Sequence, residues 1–361
     1  MQKMLRLLLA GCLLFTGQVI AQVHITFLLD TAALKPGKNY YLAGNINGWN
    51  PSDSPYSFIN RQLTITAKRG DVVEFKITNG SWESVETSNT GADVPNRIVK
   101  GNSDTTVIIS IAGWKNEFSE PIKKHTASKN VSVLDTAFAI PQLHRNRAIR
   151  IYLPPDYATS RKRYPVLYIS DGQNCFDEFT GSYGEWQVDE TLDHFYDSCK
   201  KSLIVVAVDH GESHRLQEYD PYDFERFGKG EGKEYASFLV ETLKPFIDSA
   251  FRTIGDKRHT HIAGSSMGAV ISTWALIAYP SVFGNAGIFS PAYWTAKSLY
   301  PDTKKQLMAL TNHSVFLYAG GSESKNMVSE TKAMYRILQG NHTLKMELFG
   351  VRLNSWGLLL I

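Results

Sequence analysis

Several absences narrow this 361-residue sequence before any motif does. Neither sign of charge dominates: 38 Lys and Arg stand against 35 Asp and Glu, a formal net charge of +3, and no stretch concentrates the basic residues. That balance excludes nucleic acid as a partner. Only three cysteines occur, so no disulfide framework staples the fold. There is no internal repeat and no low-complexity tract, which excludes a solenoid or a disordered chain. Beyond the first twenty-one residues no apolar run approaches the ~20 residues that a membrane-spanning helix needs. Histidine is missing where it will matter: none follows His342.

The first residues, MQKMLRLLLAGCLLFTGQVIAQ, combine a basic start (Lys3, Arg6), an apolar run from Leu7 to Phe15, and Val19 and Ala21 at the −3 and −1 positions of a cleavage site. This pattern predicts a secretory signal peptide over residues 1–21, and hence a secreted or periplasmic protein. A second reading takes Leu8-Leu9-Ala10-Gly11-Cys12 as a lipoprotein box that would leave Cys12 lipidated. Past the leader only Cys175 and Cys199 remain, either paired or as two free thiols.

From residue 22 to 112 short runs such as VHITFLL, QLTITA, VVEFKIT and TTVIISI are rich in β-branched and aromatic residues and broken by Gly, Asn, Asp and Pro. They predict a small all-β sandwich of immunoglobulin-like type. The polar stretch 113–130 predicts an interdomain linker. From 131 to 361 strand-like runs (AIRIYL, VLYIS, LIVVAV, HIAG, GIFS, VFLYAG, LKMELF) alternate with helical stretches such as 232–251 and 329–338. That alternation indicates an α/β domain with a mostly parallel sheet covered on both faces.

Within it, His261-Ile262-Ala263 runs into Gly264-Ser265-Ser266-Met267-Gly268, and a helical stretch follows. This is G-x-S-x-G between a strand and a helix, the arrangement that lifts a serine hydroxyl above a sheet on a tight turn. Glycines at ±2 let strand and helix approach. Ser266 is the candidate nucleophile and the Met267 amide, at the helix start, a candidate oxyanion donor. A second donor is expected from the loop after VLYIS, where Asp171-Gly172-Gln173-Asn174 offers the Gln173 amide. VFLYAG ends in Gly321-Ser322-Glu323, which puts Glu323 where a carboxylate orients an imidazole.

The imidazole itself is the difficulty. In this chain order the histidine follows the last strand, yet Gly350 to Ile361 contains none. His342 precedes that strand, at the opposite edge of the sheet. His210, after LIVVAVD, is at the correct edge and is the substitute base; His214 lies four residues further on.

At GSSMG, DGQN, Arg215-Leu216-Gln217-Glu218-Tyr219, LKPFID (243–248) and Ser290-Pro291-Ala292-Tyr293-Trp294, residues 140–350 resemble the Putative esterase family, which contains enterochelin, feruloyl and acetyl-xylan esterases and mycolyltransferases. The resemblance implies an α/β-hydrolase fold, ester hydrolysis with no metal or cofactor, Ser266 as nucleophile and Glu323 as the acid. Residues 23–111, through AGNINGWN (43–50) and FKITNGSW (75–82), resemble the early-set carbohydrate-binding modules of glycogen-branching and starch-active enzymes. The departure is at the C-terminus, where a Gly-x-His-Asn-like segment is expected. A truncated or frameshifted reading frame, or a pseudoenzyme, accounts for its absence.

Two functions follow. One is a secreted serine esterase removing feruloyl or acetyl groups from oligo- or polysaccharide, with Trp186, Tyr293 and Trp294 lining an acyl or sugar pocket. Its siderophore-hydrolysing variant needs cations, for which Arg215 and Arg226 are available. The other is a non-catalytic glycan-binding protein, in which Trp49 and Trp82 stack on sugar rings.

Overall fold

The computed structural model describes residues 21–30, 34–118, 123–181, 184–226, 228–321, 323 and 326–351. The expected leader, Cys12 and the segment after Val351 lie outside them. The chain divides into two compact units, one through Pro121 and one from Ile122.

The first unit contains β1 (Gln22–Leu29), β2 (Tyr41–Gly44), β3 (Gln62–Lys68), β4 (Val72–Thr78), β5 (Glu86–Thr87), β6 (Arg97–Lys100), β7 (Thr105–Ile109) and β8 (Gly113–Trp114). Two three-stranded sheets form, ordered β3-β1-β7 and β2-β4-β6, beside a small β5-β8 pair. Period-two alternation puts Ile25, Phe27 and Leu29 of β1 and Val73, Phe75 and Ile77 of β4 into one buried cluster. Phe27 and Phe75 meet edge to face at 4.9 Å.

The division between the units falls inside the stretch 113–130 expected as a linker, and its described residues on either side make contacts within their own unit. Trp114 is 1% exposed and stacks on Tyr40 at 5.2 Å, so the first core extends past residue 112. In the second unit Thr126 and Ser128 donate their amides to the carboxylates of Asp177 and Asp189, and the Asn130 side chain donates to Asp193. These anchors are polar, which is why the segment carries no apolar period.

The second unit contributes β9 (Val131–Ile140), β10 (Arg145–Tyr152), β11 (Val166–Ser170), β12 (Ile204–Val208), β13 (Thr260–Ser265), β14 (Asn285–Phe289), β15 (Ser314–Gly320) and β16 (Lys345–Val351) to one sheet ordered β16-β15-β14-β13-β11-β12-β10-β9. From β16 to β12 every pairing is parallel; β10 and β9 are antiparallel. The helices are α1 (Val188–Cys199), α2 (Arg215–Glu218), α3 (Gly232–Ser237), α4 (Lys244–Ala250), α5 (Met267–Ala278), α6 (Leu299–Gln306) and α7 (Met327–Leu338). A π-helical segment, Phe238–Leu243, joins α3 to α4, so the helical stretch expected at 232–251 is continuous but locally widened.

Strand β12 lies on one side of β11 and β13 on the other. The chain therefore reverses direction across the sheet at β11/β13, and the carboxyl ends of these two strands mark the switch-point crevice at which α/β sheets take their ligands. Among the described residues no helix is long and apolar enough to cross a membrane.

At the start of α1, Asp189 is fully buried and Glu190 half-buried beside it. Burial, reinforced by Asp189, pushes the Glu190 carboxyl up from its ordinary 4.5 to about 7. The folded state then binds this proton more tightly than the unfolded chain does, so stability declines as pH rises from 4.5 through about 7. In thermal unfolding, Glu190→Gln should match the parent at pH 4.5 and exceed it increasingly up to pH 8; a constant difference across the range would contradict this origin.

Candidate active site

Ser266 stands between β13 and α5 with φ +55° and ψ −116°, a backbone conformation that a residue bearing a Cβ adopts at a cost of about 1–3 kcal/mol. Three backbone bonds hold it: its N–H donates to the Phe289 carbonyl at 3.0 Å, and its own carbonyl accepts from Val270 and Ala292, each at 3.2 Å. A Cβ on Gly264 would come within 2.5 Å of the Gly268 backbone, so strand and helix touch where no side chain fits. The buried Val270, Ile271, Leu276 and Ile277 of α5 each contribute roughly 1.5–3 kcal/mol on burial, enough to offset the strained serine. Ser266 stays partly exposed at the mouth, and the Met267 amide lies in the first turn of α5, where no carbonyl of that helix can accept it.

The loop after β11 approaches the same crevice. Asp171 adopts φ +59°, its carboxylate takes a bidentate pair from Arg215 at 2.6 and 2.8 Å, and its amide donates to the Tyr219 hydroxyl. Gly172 follows, where a Cβ would strike the Ala207 carbonyl at 2.8 Å. Gln173, 9% exposed, is the middle residue of a 3-10 turn, Gly172–Asn174; its Oε1 accepts the His210 amide at 3.1 Å, while its buried Nε2 has no hydrogen-bond partner.

At the ends of the next two strands, Ser290 (φ +43°) donates its hydroxyl to Glu323 Oε1 at 2.8 Å, and Gly320 leaves the space over which that carboxylate folds. Ser266, Ser290 and Glu323 thus terminate three successive strands, β13, β14 and β15. The role of Ser290 as partner of the acid was not read from the sequence; its signal is a hydroxyl residue before Pro291 at a strand end.

His210 follows β12, on the far side of β11 from Ser266, whereas Glu323 lies on the opposite flank. Glu323 therefore does not orient it. The Glu212 amide donates to His210 Nδ1 at 3.0 Å, which places the proton of the neutral ring on Nε2 and makes that nitrogen a donor. His214 is exposed on the following turn, and His342 is exposed between α7 and β16 at the other sheet edge.

Of the candidate binding residues, Trp186 is partly buried and packs on the hydrophobic cluster around Ile169 and Phe176, its ring meeting Phe289 edge to face at 5.4 Å. Trp294 is 44% exposed, two residues past the Ala292 amide that holds the Ser266 carbonyl. Two expectations change. Tyr293 is wholly buried, its hydroxyl 2.9 Å from that of Thr273, and has no surface to give a ligand; an aromatic residue in a loop sequence does not reveal which way it packs. Arg215 commits its guanidinium to Asp171 and lies over the Tyr219 ring at 5.3 Å, so it serves the loop rather than an anionic substrate. Arg226 is exposed. In the first unit Trp49 and Trp82 lie side by side, 6.4 Å between centroids and 36° apart. Cys175 and Cys199 are not joined: the first is buried, where burial pushes its thiol far up, and the second is exposed. Among the described residues no group of three His, Cys, Asp or Glu could hold a metal.

A family model described as Putative esterase matches residues 140–344, over half of the chain. The chain belongs to this esterase family. It is an ester hydrolase of the α/β type. The esterase is 26% identical over 211 residues to the protein YbbA of Bacillus subtilis, spanning 54% of this chain and 78% of YbbA. It is 27% identical over 144 residues to the endo-1,4-beta-xylanase/feruloyl esterase of Xylanibacter ruminicola, spanning 39% of this chain and 19% of that longer protein. The crystal structure of the enterobactin esterase FES from Shigella flexneri shares the fold, with a TM-score of 0.50 at 14% identity over 87% of this chain and 82% of that one.

The contact between Gly264 and Gly268 predicts an ordered pair of effects. Gly264→Ala, which drives a methyl into backbone, should lower the unfolding temperature well below that of Gly268→Ala, whose Cβ meets only side chains, Ser170 at 3.1 Å and the Asp171 carboxylate at 3.4 Å. Equal losses in a thermal scan would show that the strand–helix approach is looser than described.

Proposed function

We propose that this esterase is an exported serine hydrolase that removes feruloyl or acetyl groups from carbohydrate through an acyl-enzyme on Ser266. The observation that carries the reading is the strained Ser266, partly exposed at the mouth of the β11/β13 crevice with a helix amide beside it. In this reading the Ser266 hydroxyl attacks the ester carbonyl, and the developing oxyanion is met by the Met267 and Gln173 amides, dipoles fixed before the reaction begins. Collapse expels the sugar alcohol, and water then releases the acid. Glu323 is the acid that would hold an imidazole, kept in place by Ser290.

Feruloyl or acetyl carbohydrate as substrate is supported by the resemblance to a xylanase/feruloyl esterase and by the exposed Trp294, two residues past the Ala292 amide that holds the Ser266 carbonyl. The same reading gives the first unit a glycan-holding role: Trp49, held at φ +61° and partly exposed, and Trp82, 39% exposed, form a tilted aromatic pair on which sugar rings would stack. A siderophore substrate is disfavoured by the engagement of Arg215 with Asp171. Export rests on the leader sequence.

A second reading, a glycan-binding protein without turnover, is favoured by one observation: His210 presents a donor rather than a base. One experiment separates the two. Incubation with a small fluorophosphonate should place a single adduct on Ser266 by peptide mass spectrometry, and Ser266→Ala should abolish both the adduct and aryl-ester hydrolysis. Hydrolysis that survives Ser266→Ala would overturn the nucleophile; absence of adduct and turnover from pH 5 to 9 would favour the binding protein. Should His210 be the base, hydrolysis should vanish in His210→Ala.

A further inference from the structure

The loop that carries Gln173 is fastened at both of its ends. At the first, Asp171, held by Arg215 and Tyr219, lies against the elbow: a Cβ on Gly268, two residues past Ser266, would meet the Asp171 carboxylate at 3.4 Å. At the second, the fastening comes from residues 123–126. Lys123 donates its ammonium to the Gly181 carbonyl, His125 Nδ1 meets the Asp177 carboxylate at 2.8 Å, and the Thr126 amide donates to the same carboxylate at 3.1 Å. The bond is returned, since the Glu178 amide donates to the Thr126 hydroxyl at 2.8 Å. Asp177 is buried and also accepts the Phe179 amide, at 3.0 Å. Burial opposes its charge, yet the bonds from His125, Thr126 and Phe179 hold its carboxyl below the ordinary carboxylate range, so it is ionised and accepts all three. The Asp177 carbonyl takes the Thr180 and Gly181 amides at 3.1 and 3.0 Å and so closes a turn. From that turn the Thr180 hydroxyl reaches back and donates to the Gln173 carbonyl at 2.7 Å.

We infer that Asp177 is a positioning residue for ester hydrolysis, which clasps residues 123–126 to the turn at Thr180 and, through the Thr180 hydroxyl, fixes Gln173 beside the elbow. The inference rests on the oxyanion role proposed for the Gln173 amide. An amide stabilises developing charge best when it need not move as the charge appears. Gln173 lies beyond the end of β11, where ladder partners are gone, and Gly172 before it leaves the backbone free to rotate. With its carbonyl bound by Thr180 and its Oε1 by the His210 amide, the residue cannot swing without breaking a bond. Residues 123–126 therefore belong to the catalytic machinery of the second unit although they precede its first strand.

The test is the rate at which a small fluorophosphonate modifies Ser266 in the full chain, read by mass spectrometry, together with amide hydrogen exchange, which needs no chemistry at the serine. Thr180→Val removes the hydroxyl and keeps the shape; Thr180→Ser keeps the hydroxyl. Thr180→Val and Asp177→Ala should each slow modification about ten- to hundredfold, short of the ~10²–10³ lost with a whole donor, and should speed exchange over residues 172–181. Thr180→Ser should stay near the parent in both. The double variant should be no slower than the slower single, because the two act along one path. Unfolding temperatures measured alongside restrict the comparison to folded protein, and if Asp177→Ala does not fold, Thr180→Val alone decides. Modification of Thr180→Val at the parent rate, unchanged exchange in it, or losses that multiply in the double variant would overturn the clasp. No modification of Ser266 in the parent would instead overturn the serine reading and with it the catalytic purpose of the clasp, while faster exchange in the variants would still establish the fastening.

Discussion

Strand β13 and helix α5 come together at Gly264 and Gly268 with no room for a side chain, and the rest of the site follows from that contact. A chain that must leave a strand and enter a helix within one residue has to turn sharply, so Ser266 is held at positive φ. The strain is small beside the burial of α5, which is apolar almost all round and packs into the core beneath the sheet. The serine is thereby fixed with its amide and carbonyl spent on Phe289, Val270 and Ala292, and only its side chain is left to act.

Around this point the carboxyl ends of neighbouring strands are braced by polar pairs rather than by apolar packing. Arg215 holds Asp171 in a left-handed conformation after β11, Ser290 after β14 holds Glu323 beyond β15, and Arg150 holds Asp209 after β12 at 2.9 and 3.0 Å. Each pair fixes a residue next to one with a proposed chemical role, or that residue itself. Backbone at a strand end has lost its ladder partners, so charged and hydroxyl side chains supply the missing rigidity.

Much of this was legible in the sequence where a local pattern dictates geometry. GSSMG between a strand and a helix forces the elbow, and the alternation of apolar runs with helical periods forces the parallel sheet. Strand β9 was not legible: it is an edge strand with Ile140 as its one buried residue, so it has no alternation to read. The anchoring of residues 123–130 was hidden for the same reason, because at Thr126, Ser128 and Asn130 it runs through hydrogen bonds to Asp177, Asp189 and Asp193 rather than through burial. Side-chain commitments across long separations were equally invisible. Arg215 finds Asp171 forty-four residues away, and Tyr293 turns inward to Thr273; composition and spacing carry no record of either.

The central claim is that the elbow and the loop after β11 together present the proposed nucleophile and its two oxyanion amides as one preformed unit. The most direct measurement is a crystal structure of the protein after reaction with a small fluorophosphonate. The phosphoryl oxygen should lie about 2.7–3.1 Å from the amide nitrogens of both Met267 and Gln173, with phosphorus bonded to Ser266 Oγ. A phosphoryl oxygen turned to solvent, or held by neither amide, would contradict the account.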